Sequence, residues 1–471
     1  NQETHMKQVA VLSLAALISG TAFATPILVT SDADQGPGSL RAAIAEASRG
    51  SSPQEIVVAT EGDISLSQTL SYTGRAPLTL TGQAQTLKID ANATLLEVTE
   101  GADLSVSSLR FQGPAGFSIE NRGDTNGQTA GKGIFVDIRD DQTGTARLDL
   151  TDVVVTGFAN YGVHVSDCNL ADECGGGGGG AGEGSDASIA VTLNNVEINL
   201  VGQGRFDADG LRVDERSVGD IHVNILNSSF TRVGADGVEL DEGQAGDVIV
   251  LVDNAAFNNN GDYCHPDKLR QFMPAVDEAE FEDGQARESD IPGKITGTPD
   301  DRCFEREVDT YDSGFVEAYE FAIDVDDGFD VDEAGPGHLR AVVRNSVIRN
   351  NFDEGLDFDE EDAGSIVLSL AGNHASGNTD DGYKNSESGA GSVLATMISS
   401  TATNNGGKGA VFEEEDAGDV SVTVFNAQTS NNDDSDNTGL EVVQDDAGRG
   451  VAVVSSSMIA DGIDAEGVTV R

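Results

Sequence analysis

Acidic side chains recur at fixed intervals in the second half of the chain, and their spacing suits a row of cation ligands. The unit Asp236-Gly237-Val238-Glu239-Leu240-Asp241-Glu242 returns as Glu354-Gly355-Leu356-Asp357-Phe358-Asp359-Glu360. Within each copy apolar and acidic residues alternate, which is typical of a strand with one face in the core and the other in solvent. If the copies stack in register, the outward carboxylates form two columns with about 4.8 Å between neighbours. The predicted cation ligands are Asp214, Asp241, Asp332, Asp357, Asp359 and Glu413.

Stacked carboxylates repel one another, by roughly 1 kcal/mol per pair in water and by more where the dielectric constant falls. Raised pKa values, solvent screening or bound divalent cations would each offset this repulsion. Calcium suits such an array because it takes about six to eight oxygen ligands in flexible geometry. Acidic turns such as Glu360-Glu361-Asp362 and Glu413-Glu414-Glu415-Asp416 would add exposed oxygens. We therefore predict a calcium-binding acidic face, although no EF-hand or nonapeptide calcium motif occurs, and a merely solvated face remains the alternative.

One break in the columns is the best place for catalysis that the sequence offers. Tyr383 and Lys384 stand where the repeat elsewhere carries its apolar–acidic pair, beside Asp380 and Asp381. A lysine beside carboxylates could serve in acid–base chemistry. A structural break in the column explains the lysine equally well. Asp380, Asp381 and Lys384 are therefore weak catalytic candidates, and we predict no other catalytic residue.

The net charge excludes several classes of partner. The 471 residues include 82 Asp and Glu against 27 Lys and Arg, which gives a formal charge of -55. Such a field repels nucleic acid, anionic lipid headgroups and polyuronate chains, whereas it attracts divalent cations. A high-salt habitat would explain the same composition without a specific ligand. Disorder is disfavoured because the 38% hydrophobic content lies in short, regular runs.

The first residues and the cysteines predict export. Lys7, the apolar run Val9 to Ile18 and Ala22-Phe23-Ala24 form a signal peptide pattern over residues 1–24, so the mature chain should begin near Thr25. Residues 1–5 precede Met6, the expected initiator. No later run is long and apolar enough to predict a membrane span. Four cysteines in an exported chain predict two disulfides, Cys168 with Cys174 and Cys264 with Cys303. A metal site formed by the first pair with His164 is the alternative.

A repeat of about 27 residues decides the predicted fold. Successive Ala-Gly pairs begin at 363, 390, 417 and 447, at spacings of 27, 27 and 30. Three short strands and their turns fit this period, so we predict an all-β, right-handed parallel β-helix. Asparagine runs such as Asn258-Asn259-Asn260 recur at one point of each repeat and predict a ladder of amides at a corner. Ser39 to Ala47 predicts a short capping helix.

These patterns divide the chain into a cap, a solenoid and two interruptions. The N-terminal cap is placed at residues 25–60 and the β-helix at residues 61–471. A glycine-rich loop at 168–186 and a disulfide-closed insert at 263–320 interrupt the helix. The insert carries six Lys or Arg between 263 and 312, so it is where an enzymatic function would concentrate.

Two segments resemble a known family. Asp34-Gln35-Gly36-Pro37-Gly38-Ser39-Leu40-Arg41-Ala42-Ala43-Ile44 resembles the N-terminal cap of exported bacterial β-helix proteins. The asparagine and glycine spacing of Asn345 to Leu356 is similar to the repeats of the pectin-lyase-like superfamily, and the resemblance covers roughly residues 26–471. It implies the solenoid scaffold strongly and an activity weakly. Asn378-Thr379-Asp380-Asp381 resembles the hydrolase N-T-D motif, but no histidine follows His374 to complete that pattern.

Together these features predict a non-catalytic acidic scaffold, secreted or on the outer cell surface, with a periplasmic location as a further alternative. It would hold calcium and act in adhesion, glycan contact or matrix assembly, with glycan or further copies of itself as partners. The alternative is a polysaccharide lyase or glycoside hydrolase built on the same scaffold.

Overall fold

The computed structural model describes residues 25–123, 131–168, 184–432 and 438–471, and its strands stack into three columns of parallel strands. Each rung of the solenoid gives one strand to each column before the chain passes to the next rung. The prediction of an all-β parallel helix is confirmed by this pairing. The predicted signal peptide lies outside the described residues, as do Cys174 and most of the glycine-rich loop.

Column 1 is a sheet of twelve strands that carries most of the predicted acidic repeats. Its strands are Leu70–Tyr72, Leu96–Val98, Ile134–Asp137, Val163–Ser166, Leu211–Glu215, Val238–Glu242, Phe329–Gly335, Leu356–Asp362, Lys384–Gly389, Val411–Glu414, Leu440–Gln444 and Ile463–Glu466.

Columns 2 and 3 join into one sheet of twenty-four strands, because the long strands Leu78–Ile89 and Leu104–Gln112 run through both. Column 2 further contains Ile27–Val29, Gln54–Val58, Thr143–Thr151, Asp186–Asn194, Ile221–Leu226, Asp247–Asp253, His338–Arg344, Ile366–Ala371, Ser392–Ile398, Asp419–Phe425, Gly450–Ser455 and Val468–Val470. Column 3 further contains Ile64–Leu66, Val154–Thr156, Glu197–Asn199, Ser229–Thr231, Ala256–Asn258, Val347–Arg349, His374–Ser376, Thr401–Thr403, Gln428–Ser430 and Met458–Ile459.

Asparagines shape the corners between the columns. Asn254 and Asn345 adopt positive φ angles of 57° and 54° between column 2 and column 3, a conformation that asparagine tolerates better than most residues. After column 3, Asn351 donates from its amide to the Asn378 amide oxygen over 3.1 Å, and the same bond links Asn378 to Asn405. The predicted amide ladder is confirmed at this corner.

The solenoid interior is apolar over most of its length. Inward residues of the three columns form one continuous cluster, and four phenylalanines stack along it. The ring centroids of Phe230 and Phe257 are 5.3 Å apart, those of Phe257 and Phe329 are 5.5 Å apart, and those of Phe329 and Phe358 are 5.3 Å apart. These contacts tie neighbouring rungs together through the core.

Helix α1 (Leu40–Ala47) lies near the start of the described chain. Ser39 accepts a hydrogen bond from the Ala42 amide at its N-terminus. Its apolar face buries Leu40, Ala43 and Ile44 in the same cluster as the first strands. Among the described residues, no helix has the length and apolar character needed to cross a membrane.

Between Ala256–Asn258 and Phe329–Gly335 the chain leaves the solenoid. This excursion contains helix α2 (Pro266–Leu269), two 3₁₀ turns (Arg270–Phe272 and Glu288–Asp290) and an antiparallel sheet of Glu278–Glu280, Phe304–Thr310 and Val316–Ile323. A second apolar cluster, which includes Leu269 and Phe321, forms its core. The Cys264–Cys303 disulfide is present, as predicted.

Replacing Phe358 with alanine should remove part of the aromatic stack and leave a cavity between rungs. We expect a loss of about 3–5 kcal/mol in the free energy of unfolding, measured by urea denaturation. Phe425→Ala is the matched control, because Phe425 is 47% exposed on the outer face of column 2. Equal losses for the two variants would contradict the assignment of inward and outward faces.

Candidate functional site

The outward acids of column 1 align between rungs as the sequence predicts. Asp214 pairs in register with Asp241, Asp241 with Asp332, and Asp332 with Asp359. Ser386 then separates Asp359 from Glu413, so the carboxylate row is interrupted at that rung. The neighbouring row runs from Arg212 through Glu239, Asp330 and Asp357 to Lys384.

The predicted exposure of these acids is wrong. Asp241 is 0% exposed, Asp214 3% and Asp357 9%, whereas Asp332, Asp359 and Glu413 are half-buried. The cause is a set of acidic turns that precede the strands and lie against them. Asp209 accepts a hydrogen bond from the Asp236 amide over 3.2 Å, and Asp327 accepts one from the Glu354 amide over 2.7 Å. The acidic cleft, which we define as these turns and the outer face of column 1, is therefore a buried site and not a solvated face.

Two of the predicted ligands are engaged by guanidinium groups. Arg212 donates to Asp214 over 2.7 Å, to Asp241 over 2.7 Å, and also pairs with Glu239. Arg216, which is buried, pairs with Asp241 as well. Burial opposes ionisation of Asp214, but Arg212 and His164 hold its pKa well below the usual range. We leave Asp214 and Asp241 out of the proposed cation site for this reason.

The sequence analysis did not identify a lysine–histidine pair that lies at the same end of the cleft. Lys132 Nζ lies 2.5 Å from His164 Nδ1, and His164 Nε2 lies 2.6 Å from Asp214 Oδ2. The Tyr161 ring lies 4.6 Å from the His164 ring. Burial lowers the pKa of Lys132 to about 7, and burial together with the Lys132 ammonium lowers that of His164 to about 4. The sequence feature that could have pointed to Lys132 is the scarcity of basic residues, which makes each lysine of this chain unusual.

At the centre of the cleft, carboxylates lie close together with too few basic side chains to balance their negative charge. Asp327 is close to Asp330 and Asp357 on one side and to Asp353 and Glu354 on the other. Among the described residues, four groups bring three carboxylate oxygens within 4.8 Å of one another: Asp207, Asp209 and Glu239; Glu239, Asp330 and Asp332; Asp327, Asp330 and Asp357; Asp327, Asp353 and Glu354.

Burial and mutual repulsion govern the ionisation of these groups. Burial raises the pKa of Asp327, Asp330 and Asp357 well above the usual range, and neighbouring carboxylates raise it further. No hydrogen-bond donor among the described residues reaches Asp357 Oδ1, which is buried. A proton or a cation must balance this charge.

The weak catalytic candidates lie at the far side of the cleft. Lys384 donates to Asp357 over 2.7 Å and lies 3.6 Å from Glu354. Burial alone would lower the pKa of Lys384, but the surrounding carboxylates of Asp357, Asp359 and Glu354 raise it. Burial and Asp380 raise the pKa of Asp381 to about 6, while Asp380 itself is exposed. This arrangement makes Lys384 a partner of the acidic row.

The insert borders a separate groove. Its basic residues pair with its own acids, as Arg302 does with Asp300 over 2.7 Å and Arg306 with Glu288 over 3.3 Å. Two adjoining hollows of about 490 and 280 Å³ share Phe352 and Thr379. Amide side chains of Asn259 and Asn350 line the larger one. The groove therefore offers an aromatic edge and amide groups beside the acidic cleft.

The strand pairing makes this chain a parallel β-helix protein. No protein-family model matches the sequence, and no curated protein matches it. Similar solved structures include the periplasmic alginate epimerase AlgG, with a TM-score of 0.41 and 8% identity over 89% of this chain and 77% of that one. Pectate lyase Pel9A has a TM-score of 0.34 and 14% identity over 94% of this chain and 79% of that one.

A bacteriophage protein is similar over a smaller part of its length. The enzymatically active domain of tailspike protein 2 from bacteriophage CBA120 has a TM-score of 0.36 and 11% identity over 81% of this chain. This chain spans 44% of that domain. These similarities concern the fold, and the chemistry of this chain has to be argued from its own residues.

Replacing Arg212 with leucine should leave three buried carboxylates without their shared partner. We expect a loss of about 3–5 kcal/mol in the free energy of unfolding at pH 7. The loss should be smaller at pH 5, because carboxyls deprived of the guanidinium take up protons more readily. Arg340→Leu, which breaks the partly exposed pair with Asp247, is the control and should cost about 1 kcal/mol or less. Equal costs would argue against a buried network.

Proposed function

We propose that the chain is an exported β-helix protein that holds divalent cations in its acidic cleft and contacts glycan along the adjoining groove. The observation that carries the proposal is the position of Asp327, whose carboxylate belongs to two groups of three acids. The proposed ligands are Asp327, Asp330, Asp353, Glu354 and Asp357. Calcium fits this set best, because it accepts about six to eight oxygens without a strict geometry.

Burial makes cation binding favourable at this place. Facing carboxylates in a site of low dielectric constant repel each other far more strongly than in water. A bound dication removes that repulsion and the need for protonation together. Binding would therefore strengthen as the pH rises and the carboxyls lose their protons.

The groove supports the glycan part of the proposal. Phe352, whose ring packs against His265, offers an aromatic edge, and Asn259 and Asn350 offer amide groups that can donate to and accept from hydroxyls. The net charge of -55 favours neutral or cationic sugars over uronates, unless bound cations intervene. Export is supported by the signal peptide pattern and by the Cys264–Cys303 disulfide.

Calcium should raise the unfolding temperature at fixed ionic strength, because a ligand present at 100 times its dissociation constant stabilises the folded state by about 2.7 kcal/mol per site. Isothermal titration of chelator-treated protein should show binding that Asp327→Asn weakens at least tenfold. Asp416→Asn, in an exposed turn, is the matched control and should bind as the parent does. Identical unfolding midpoints with calcium and with EDTA would refute the cation site.

A second candidate, polysaccharide lyase activity, is favoured by one observation. Burial brings the pKa of Lys132 to about 7, and the amine lies 2.5 Å from His164. A neutral amine near pH 7 can act as a general base and take a proton from a sugar carbon. Partly exposed Tyr161 lies beside the pair on the solvent side.

This activity should appear as ultraviolet-absorbing unsaturated ends when the protein is incubated with a panel of neutral, amino-sugar and uronate glycans. Product formation should rise with pH through about 7, as Lys132 loses its proton. Lys132→Met should abolish it, whereas Lys384→Met should not. Activity retained in Lys132→Met, or no product from any glycan, would leave the binding function alone.

A further inference from the structure

The interior of the solenoid contains a row of acids, two of which, Glu360 and Glu414, the sequence analysis assigned to exposed turns. The last inward position of column 1 holds a glutamate in rung after rung, each paired in register with the next. Asp167 precedes this row and Gln444 follows it. All of these side chains are buried. The inner carboxyl ladder consists of Asp167, Glu215, Glu242, Glu333, Glu360, Glu387 and Glu414.

The middle of the ladder has no partner outside itself. Glu215 accepts from the Ser217 and Gly219 amides over 3.1 and 3.0 Å. By contrast, no donor among the described residues reaches either carboxyl oxygen of Glu333, Glu360 or Glu387. Their contacts are with the carboxyls of the rungs above and below. Apolar residues flank the row, including Val331 and Phe358 one inward position earlier.

The turn that follows each glutamate leaves no space for a hydrated ion. A glycine stands four residues after each of these glutamates, as Gly364 does after Glu360. A Cβ atom on Gly364 would overlap Oε1 of Glu360, and one on Gly391 would overlap Oε1 of Glu387. The carboxyls are therefore packed directly against the turn backbone. The carboxyls of Glu333, Glu360 and Glu387 also lie within hydrogen-bonding reach of their neighbours in the row, so what lies between two of them has to be as small as a proton.

The rung that follows Glu414 shows which kind of contact the row requires. Gln444 occupies the ladder position there, and its amide Nε2 donates to Glu414 Oε2 over 2.7 Å. An amide N–H supplies the hydrogen that a carboxylate lacks. Between Glu333, Glu360 and Glu387, which no other donor among the described residues reaches, only a protonated carboxyl can supply that hydrogen.

We propose that the inner carboxyl ladder is a proton-sharing row, in which no two neighbouring carboxyls are ionised together and at least three of the seven carry a proton at neutral pH. Two ionised carboxyls in contact within an apolar interior repel strongly, and a shared proton turns the repulsion into a hydrogen bond. Asp167 accepts hydrogen bonds from the backbone amides of Ser185 and Arg216 and from the Ser185 hydroxyl, and these three donors favour an ionised group at that end.

The electrostatic surroundings agree with this geometry. Burial raises the pKa of Glu333 to about 11, of Glu215 to about 9, of Glu387 to about 8, and of Glu242 and Glu360 to about 7. Glu361 and Asp362, which end the same strand as Glu360, are charged neighbours outside the ladder that raise the pKa of Glu360 further. The first inward residues of column 2, such as Ile366 and Val393, are apolar.

A folded-state pKa above the ordinary glutamate value of 4.5 fixes the sign of the pH dependence. The folded chain keeps protons that the unfolded chain has released, so stability is fully present below about pH 4.5. It falls as the pH rises towards the folded-state pKa values of about 7 to 11. The contribution of the ladder to stability is therefore largest in acid, whereas that of Asp214, whose pKa is lowered, is lost there.

Infrared spectroscopy of the full chain at pH 7 tests the proposal on the parent protein. Protonated carboxyls absorb apart from carboxylates, so a carboxylic-acid band should be present in the folded protein and absent after unfolding at the same pH. Glu360→Gln and Glu387→Gln should each reduce this band. Glu415→Gln, which changes an exposed residue next to Glu414, should leave the band unchanged.

Unfolding midpoints at pH 5, 7 and 9 and fixed ionic strength give a second readout. The fall in midpoint between pH 5 and 9 should be smaller in Glu360→Gln than in the parent, because glutamine cannot ionise, and unchanged in Glu415→Gln. A folded spectrum at pH 7 with carboxylate bands alone would overturn the proposal. So would a glutamine variant whose midpoint falls with pH as steeply as that of the parent.

Discussion

The structure depends on one constraint, the in-register stacking of a repeat whose strands end in acids. Because column 1 is parallel and in register, each residue contacts its own counterpart in the next rung. Apolar residues are stabilised by such stacking, as Phe329 with Leu356 and Val331 with Phe358 are in column 1 and Phe230 with Phe257 is in column 3. Stacked acids are destabilised by their mutual repulsion unless a basic side chain, a cation or a proton lies between them. The outer and inner faces of column 1 reduce this repulsion in different ways.

On the outer face there is room for side chains from other rungs. Arg212 spans Asp214 and Asp241, and Lys384 ends the neighbouring row at Asp357. Lys384 reaches only Asp357 and Glu354 at one edge of the group around Asp327, and the proposed remedy for the remaining charge is a cation. On the inner face the glycine turns close the space beside each glutamate. We therefore propose that the same repeat holds a cation on its outer face and shares protons on its inner face.

The fold could be predicted because the sequence repeats at a regular interval. The spacing of Ala363-Gly364 and its copies, and the alternation of Leu356 and Phe358 with acids, were enough to give three strands per rung and the register of the outer rows. The corner asparagines followed from the same period. The inward phase of Glu360 was also present in that alternation. It was overlooked because burying a glutamate among apolar residues is costly unless it is protonated.

The burial of the cleft could not be predicted from the sequence, because it depends on contacts between rungs that are unequally spaced along the chain. The turns of Asp209 and Asp327 both hydrogen-bond to the turn of Asp236, at separations of 27 and 91 residues, because the excursion lies between the rungs of Asp236 and Asp327. Lys132 reaches His164 across 32 residues instead of 27. Neutron diffraction from a crystal grown at pH 7 with calcium is the most direct test of the central claim that the two faces neutralise their acids differently. The account predicts deuterium between facing ladder carboxyls and metal beside Asp327; metal or water between the inner glutamates, with no deuterium on them, would contradict it.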